Sequence, residues 1–329
     1  MTHARVSVVV PVYRCLPYVT GTLQSVLDQT RPVDEIVLVD DRGGDRSMPV
    51  ARAFLDERGA AYRVVTHDRN RGPGPARNSG LAAATGDLLW FLDADDVADP
   101  RFVERLAGAV VGSGADFAVC RTRRVDEHGV VLGVDEPPYP AEELTGREFA
   151  RLLLRGRAKA YPCTKLFRRS VLGDRPWDEH RKYEDIAATF RLAMGAGRVA
   201  LVDEPLYRYL HRSGSITTTL SEGTFDLFGV GDDVRSTVLE DGFGSDWAAD
   251  LLGFEYREVL TSIAHVAMRA SHVAAERPAL YRDAVRRVRA RIRLRDLPRL
   301  ARTGHPREAV FGAFMTVSPA AYSTVLRYR

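Results

Sequence analysis

Short apolar runs alternate with amphipathic segments along the first hundred residues of the chain. Val6–Val12 is rich in β-branched residues and stops at a proline and a loop, as expected of a strand buried on both faces. Residues 17–29 then carry apolar side chains at helical spacing. Further strands are predicted at 35–39, 62–65 and 88–92, with helices at 48–58 and 75–84 between them. Strands that alternate with helices predict a parallel α/β sheet with right-handed crossovers.

The rest of the chain is less regular. Two more strands are predicted at 117–121 and 199–202, helices near 146–155 and 185–195, and a loop at 134–141. From about residue 222 the pattern is helical and the strand signal is lost. The sequence therefore predicts an α/β domain over residues 1–221 and a mostly helical C-terminal region over residues 222–329.

Composition agrees with an ordinary globular protein. The chain has 329 residues, 45% of them hydrophobic and 28% charged, and a net charge of +3 that favours no particular partner. It lacks both a bilayer-spanning apolar stretch of roughly 20 residues and the features of a signal peptide, which predicts a cytoplasmic location. Three widely spaced cysteines without C-x-x-C spacing indicate a reducing compartment, not a disulfide framework or a Cys-rich zinc site.

Three carboxylates, Asp93, Asp95 and Asp96, directly follow the predicted strand at 88–92. Like charges this close repel one another, and the pKa of at least one should rise unless a positive group lies among them. Asp93 and Asp95 point to one side of an extended segment, where they could bind Mg²⁺ or Mn²⁺ that also holds substrate phosphates. The alternative is a polar strand end before a helix N-terminus, and Asp99 is assigned to that role.

Two other strand-end segments carry polar groups. Asp40 and Asp41 follow the second strand, where a carboxylate could accept an N–H bond from a uracil-like base or simply start an Asx turn. Arg77 and Asn78 lie near the start of the third helix, where they could contact a ribose or a phosphate, although Arg77 could equally balance nearby aspartates. The glycine-rich stretch before them contains no G-x-G-x-x-G, so it matches neither a dinucleotide nor a P-loop fingerprint.

Polar clusters also occur late in the α/β domain. Glu184 and Asp185 precede a helical apolar stripe. They could supply favourable negative charge at the start of the helix. One of them could instead be a general base, and general-base catalysis typically raises a rate by roughly 10²–10⁴. His211, Arg212 and Ser215 could bind a diphosphate, although a lone histidine is more often a surface or capping residue.

Residues 281–302 hold nine arginines against Asp283 and Asp296. The interpretation that this pattern favours most is a solvated helix face. Contact with an anionic membrane ranks second, and nucleic-acid binding ranks third.

Eight short stretches occur in the order V-S-V-V-V-P-V-Y, S-V-L-D-Q-T, E-I-V-L-V-D-D, N-R-G-P-G-P-A-R-N-S-G, L-D-A-D-D, T-K-L-F-R-R-S, Y-E-D and Y-R-Y-L-H-R-S-G-S-I. Each is weak alone, but the ordered set covers about residues 5–218 and resembles the family 2 glycosyltransferases of GT-A fold. The resemblance implies a Rossmann-like sheet flanked by helices and an inverting enzyme of the hexosyltransferase class. Such an enzyme moves a sugar from a UDP-sugar to a hydroxyl acceptor, such as a cell-surface glycan, a glycolipid or a teichoic-type polymer.

The resemblance also implies residue roles. The residues implied to bind the nucleotide are Pro11, Val12, Tyr13, Asp41, Asn70, Arg77 and Asp93, with His211, Arg212 and Ser215 at the diphosphate. Asp41 would meet the base, and Asp93 would lie near the ribose. Asp95 would bind Mn²⁺ or Mg²⁺ as the metal-binding member of a D-x-D-like motif, and Asp185 would be the catalytic base.

One stretch departs from the family pattern. Many relatives have D-D-G-S-x-D after the second strand, whereas this chain has D-D-R-G-G-D-R-S. Arg42-Gly43-Gly44 replaces the Gly-Ser turn of those relatives, which is expected to alter the shape of this loop and with it the choice of sugar donor. The family pattern says little about residues 222–329, which could bind acceptor, form a homo-oligomer or contact the inner face of the membrane peripherally.

The loop after the first strand distinguishes this chain from two other classes of enzyme. A nucleotidyltransferase would carry a Gly-rich loop with Arg or Lys after the first strand, and a D-x-D phosphatase would carry its nucleophile there. This chain has P-V-Y-R-C-L-P-Y at that place, which disfavours both. The remaining alternative is a catalytically silent protein that binds a nucleotide-sugar or glycan, against which the presence of both Asp95 and Asp185 argues.

Overall fold

The computed structural model describes residues 4–211, 219–269 and 277–327. Its internal contacts divide the chain into two compact units. The first consists mainly of residues 1–212, and the second of residues 213–329 together with Leu154–Gly156 and Arg181–Tyr183. The domain boundary at residue 221 stays a prediction.

The first unit is built on a ten-stranded mixed sheet. Its first four strands are β1 (Val6–Val12), β2 (Glu35–Asp40), β3 (Tyr62–Thr66) and β4 (Leu88–Phe91). They pair in parallel in the order β3-β2-β1-β4. The helices between them are α1 (Val19–Leu27), α2 (Ser47–Glu57) and α3 (Pro73–Ala83). The alternation predicted for this half of the domain is confirmed.

The second half of the sheet contains antiparallel strands. Its strands are β5 (Val97–Ala98), β6 (Phe117–Val125), β7 (Val131–Val134), β8 (Glu143–Thr145), β9 (Lys165–Arg168) and β10 (Arg198–Leu210). The helices are α4 (Phe102–Ser113), α5 (Gly146–Leu154), α6 (Arg169–Leu172) and α7 (Glu184–Gly195). Strand β9 lies between β4 and β6 and is antiparallel to both, while β6 and β10 form the longest parallel pairing.

Two features of this half differ from the sequence prediction. Strands β6 and β10 extend beyond the predicted runs because their later residues are polar and break the apolar pattern. Strand β7 follows β6 after a short loop, and a connection that short can only join antiparallel neighbours.

The core covers both faces of the sheet. Successive residues of a strand point to opposite faces, so Trp90 stacks on Phe102 with ring centroids 4.5 Å apart while Phe91 meets Trp177 edge-on at 5.1 Å. On the Phe91 face, α3 packs tightly on β1. A Cβ on Gly80 of α3 would fall inside van der Waals contact of the Val9 side chain, so only glycine permits this approach. The close packing places the start of α3 at the carboxyl edge of the sheet.

From Glu222 onward, the regular secondary structure of the described residues is helical, as predicted. The helices of this part are α8 (Asp226–Glu240), α9 (Ala248–Phe254), α10 (Ser262–Arg269), α11 (Pro278–Arg291), α12 (Asp296–Arg302), α13 (Pro306–Val317) and α14 (Pro319–Arg327). A π-helical segment, Glu255–Thr261, joins α9 to α10. Among the described residues, no helix combines the length and the apolar character that crossing a bilayer requires.

Candidate functional site

The polar strand ends meet at one edge of the sheet. Strands β1, β2 and β4 are parallel, so their carboxyl ends lie together, where α/β proteins bind their ligands. Val12 at the end of β1 is in register with Asp40 at the end of β2. Pro11 and Tyr13, on either side of the buried Val12, are partly exposed at this edge.

Arg77 links three elements at this edge. Its guanidinium is buried, with only 4% of the residue exposed, and it donates from Nη1 to Glu184 Oε1 at 2.6 Å and from Nη2 to Asp93 Oδ1 at 2.8 Å. Buried charges persist only when paired, so Arg77 ties the start of α3 to the end of β4 and to the start of α7. The structure therefore shows that Arg77 balances the charge of nearby acids, which is one of its two predicted roles. Its contact with a nucleoside stays a prediction. Sequence reasoning missed Glu184 as its partner, since the two residues are far apart in the chain.

Asp185 follows Glu184 in the first turn of α7. Burial, and then the neighbouring Glu184 carboxylate, raise the pKa of Asp185 to about 7, while Arg77 acts in the opposite direction. A carboxyl group with a pKa near neutral is suited to accept a proton from a substrate hydroxyl. This is the property expected of a general base.

The three aspartates after β4 lie in different environments. Asp96 is buried, accepts a hydrogen bond from the Tyr207 hydroxyl at 2.7 Å and accepts another from the Leu210 backbone N–H at 2.8 Å. Its pKa is raised well above the usual range, mainly by burial and further by Asp95 and Asp93, as the crowding of carboxylates predicts. Asp93 and Asp95 are partly exposed. Asp96 therefore ties this segment to β10, whereas solvent still reaches Asp93 and Asp95.

This acidic segment fits a divalent cation. Donor atoms of Asp93, Asp96 and Cys163 lie within 4.8 Å of one another. Both oxygens of Asp96 already accept hydrogen bonds, however, and burial raises the pKa of the Cys163 thiol well above its ordinary value. A neutral thiol is a poor ligand for Mg²⁺ or Mn²⁺, which prefer oxygen. Asp93 Oδ1 is already paired with Arg77, so the better donors for such an ion are the partly exposed Asp95 and the second oxygen of Asp93.

Asp99 lies at a polar strand end before a helix, as predicted, but Arg101 and not Asp99 occupies the N-cap position of that helix. Asp99 Oδ1 accepts the Arg101 backbone N–H at 3.0 Å, directly before α4.

Asp41 holds the loop after β3. Its buried Oδ1 accepts hydrogen bonds from His67 Nδ1 at 2.7 Å and from the Arg71 backbone N–H at 2.8 Å, and its Oδ2 accepts the Gly72 backbone N–H at 2.9 Å. His67 was not predicted from the sequence, because nothing local distinguishes it from a surface histidine. The predicted Asx turn forms at Asp40, whose Oδ1 accepts the Arg42 backbone N–H at 3.0 Å. The contact between Asp41 and a base stays a prediction.

The unusual loop after β2 lines a pocket. This cavity of about 670 Å³ is lined by Val12 and Asp40 and by Arg42, Gly43 and Gly44 of the departing stretch. Arg42 has a φ of 55° and Gly44 a φ of 71°, a region in which glycine is favoured. Arg42 also donates from Nε to the His67 carbonyl at 2.7 Å, which holds the loop against the end of β3.

The other predicted residues are placed as follows. Asn70 is exposed, and its side-chain oxygen accepts the Gly72 backbone N–H at 2.9 Å. Asn78 is buried and exchanges two hydrogen bonds with the Trp177 backbone. His211 is exposed, whereas Arg212 and Ser215 lie outside the described residues.

Two tyrosines near these acids were not predicted. The rings of Tyr161 and Tyr209 stack with centroids 5.6 Å apart and planes inclined by 9°. Burial raises the pKa of both hydroxyls, with smaller contributions from Asp185 at Tyr161 and from Asp96 at Tyr209. Buried Lys165 donates to the Tyr161 carbonyl at 2.8 Å and so holds this aromatic pair beside the acids.

The chain is similar to known glycosyltransferases in sequence. A model of glycosyl transferase family 2 matches residues 7–175. Glycosyltransferase GlyG of Streptococcus pneumoniae is 29% identical over 231 residues, which cover 68% of this chain and 74% of that protein.

Solved structures show the same fold. Residues 1–349 of S. aureus TarS, solved in complex with UDP-GlcNAc, match with a TM-score of 0.71 at 20% identity, over 98% of this chain and 90% of that one. A Pyrobaculum calidifontis mannosyltransferase, solved with GDP-Man and Mn²⁺, matches with a TM-score of 0.53 at 17% identity, over 97% and 89% of the two chains. The predicted GT-A architecture is thereby confirmed. Since the family model covers half of the sequence, the chain belongs to glycosyl transferase family 2 and is a glycosyltransferase.

Proposed function

We propose that the chain transfers a sugar from a UDP-sugar to a hydroxyl acceptor, with inversion at the anomeric carbon. The observation that carries this proposal is the buried Arg77, which joins Asp93 and Glu184 and so brings the end of β4 beside Asp185. One charged cluster therefore contains the candidate base and the strand-end acids. TarS, which was solved with UDP-GlcNAc, supports UDP as the nucleotide.

In this proposal Asp185 is the general base. Its raised pKa lets the carboxylate take the proton from the acceptor hydroxyl as that oxygen attacks the anomeric carbon. The new glycosidic C–O bond forms on the face opposite the leaving group, while the bond from the anomeric carbon to the diphosphate oxygen breaks. The proton remains on Asp185 until it is passed to solvent.

The acidic edge is proposed to hold Mn²⁺ or Mg²⁺. Asp95 would bind the ion, and Asp93 would lie beside it near the ribose. When bound, the ion supplies positive charge that stabilises the departing diphosphate.

Different residues are proposed to bind the nucleotide-sugar donor and the acceptor. Pro11, Val12 and Tyr13 would contact the nucleoside at the end of β1, and the loop with Arg42 would shape the donor pocket. The stacked Tyr161 and Tyr209 offer a flat apolar surface to a sugar ring. The acceptor is proposed to be a cell-surface glycan, a glycolipid or a teichoic-type polymer.

Calorimetric binding of UDP, dTDP, GDP and CDP, with and without Mn²⁺, tests this assignment. Wild type should bind UDP most tightly and only with metal, and Asp95→Ala should lose the metal-dependent part. Asp99→Ala is the matched control, since it removes a carboxylate four residues away that serves a local turn. The metal assignment would be refuted if wild type bound UDP with the same affinity with and without Mn²⁺. It would also be refuted if Asp95→Ala and Asp99→Ala weakened UDP binding to the same extent. UDP-sugars should then be screened for turnover with the wild type.

A further inference from the structure

The helical second unit contains a pocket of about 710 Å³ that is rich in arginine. Its basic residues come from three parts of the chain and are Arg235, Arg291, Arg293, Arg295 and Arg299. Its acidic residues are Asp232, Glu255 and Asp296. The catalytic proposal above makes no use of this pocket, which lies entirely within the second unit.

The acids of the pocket already have partners within it. Arg291 donates to both oxygens of Asp232, at 2.9 and 2.7 Å, and to Glu255 Oε1 at 3.2 Å. Asp296 accepts a hydrogen bond from the Tyr256 hydroxyl at 3.3 Å. A single arginine therefore donates to two of the three carboxylates and offsets one of their two charges.

The pocket keeps a net positive charge of two, because five arginines and three acids line it. Among the described residues, no hydrogen-bond or salt-bridge partner is found for the guanidinium groups of Arg235, Arg293, Arg295 and Arg299. Elsewhere on α11 the pattern differs, because Arg286 and Arg287 both pair with Asp283. Like charges that converge on one pocket repel one another, and a bound anion would relieve that repulsion.

We propose that this pocket binds a phosphate-bearing ligand, a diphosphate or two closely spaced phosphodiesters, distinct from the sugar donor. The planar guanidinium presents its N–H groups in a fork that matches phosphate oxygens bidentately. The volume exceeds what one phosphate needs, and Leu239, Leu251 and Leu252 give the pocket an apolar wall. The ligand therefore carries carbon groups next to its phosphates. A soluble phosphate compound and a phospholipid headgroup share this chemistry.

Titration of the full chain with inorganic pyrophosphate, in EDTA and without any sugar donor, tests the pocket by calorimetry. The double variant Arg295→Gln/Arg299→Gln should bind at least tenfold more weakly than wild type, since a hydrogen bond to a charged group is worth roughly 1.5–3 kcal/mol and 1.4 kcal/mol is tenfold. The control Arg282→Gln/Arg302→Gln removes the same charge from exposed arginines outside the pocket and should stay within about twofold of wild type.

Flotation with vesicles separates the two sources of phosphate. If the pocket variant, but not the control, loses binding to vesicles of phosphatidylglycerol in phosphatidylcholine, the ligand is a lipid headgroup. If only the pyrophosphate titration separates the variants, the ligand is a soluble phosphate. Equal behaviour of pocket variant and control in both assays overturns the proposal, and so does a wild type that binds neither pyrophosphate nor these vesicles. Because no metal or donor is present, these outcomes do not depend on the proposed catalytic function. If the double variant has a lower melting temperature than wild type, the single variant Arg235→Gln on α8 is used in the same assays instead.

Discussion

Replacement of Arg77 by methionine tests the cluster at the centre of the candidate site. Methionine keeps much of the length of the side chain and removes its charge. The substitution leaves Glu184, whose side chain is 10% exposed, as a buried carboxylate without its cation, and Asp93, at 31%, partly solvated. Removing one member of a buried ion pair typically costs about 3–5 kcal/mol.

Most of that cost should come from Glu184, because water still reaches Asp93. Arg77→Met is therefore expected to lower the free energy of unfolding by about 3–5 kcal/mol. The double variant Arg77→Met/Glu184→Leu should recover at least half of the loss, since apolar side chains of similar volume often replace a buried ion pair without net cost. The control Arg69→Met removes an arginine whose pair with Asp68 is mostly exposed, and it should cost less than about 1 kcal/mol.

Urea denaturation followed by far-UV circular dichroism measures these free energies. A cost below about 1 kcal/mol for Arg77→Met would refute the reasoning, because the guanidinium would then not compensate buried charge. A double variant as unstable as the sum of its two single variants would also refute it, because the cycle would contain no coupling between the two side chains.

Three further predictions concern the base, the sheet and the loop after β3. Asp185→Asn should lower kcat by about 10²–10⁴ and leave the affinity for UDP unchanged. Wild-type kcat/KM should rise with pH through about 7, because below that pH the Asp185 carboxyl is protonated and cannot accept a proton. A profile that is flat between about pH 5.5 and about pH 8.5 would contradict the assignment of Asp185 as the base. Gly80→Ala should lower the free energy of unfolding in urea by about 1–3 kcal/mol, because the new Cβ would overlap the Val9 side chain of β1. Gly108 of α4 has open space around it, so Gly108→Ala should raise that free energy by up to about 1 kcal/mol. Equal effects of the two substitutions would argue against close packing of α3 on β1. His67→Ala should cost about 1–3 kcal/mol because buried Asp41 loses a hydrogen-bond donor, and an unchanged melting temperature would show that this bond is not needed.

Local patterns were sufficient to predict the first half of the fold. Apolar runs such as Val6–Val12 are short and bounded by turns, and strands buried on both faces need no information from elsewhere in the chain. The same holds for the placement of Asp40 and Asp93 at one edge, which follows once the strands are known to be parallel. Strand β9 was beyond such reasoning, because its position between β4 and β6 depends on pairings with distant segments.

The amino-acid sequence by itself determined the family, the alternation of strands and helices, and the edge at which the acids collect. Only the tertiary structure decided what each acid does there. Asp93 and Asp96 differ in environment because the Tyr207 hydroxyl, more than a hundred residues later in the chain, donates to Asp96. Arg77 pairs with Asp93 and also with Glu184 of α7, which is more than a hundred residues away in the chain. Charge pairing and desolvation depend on which distant residues meet, and a linear pattern records only which residues are neighbours in the chain.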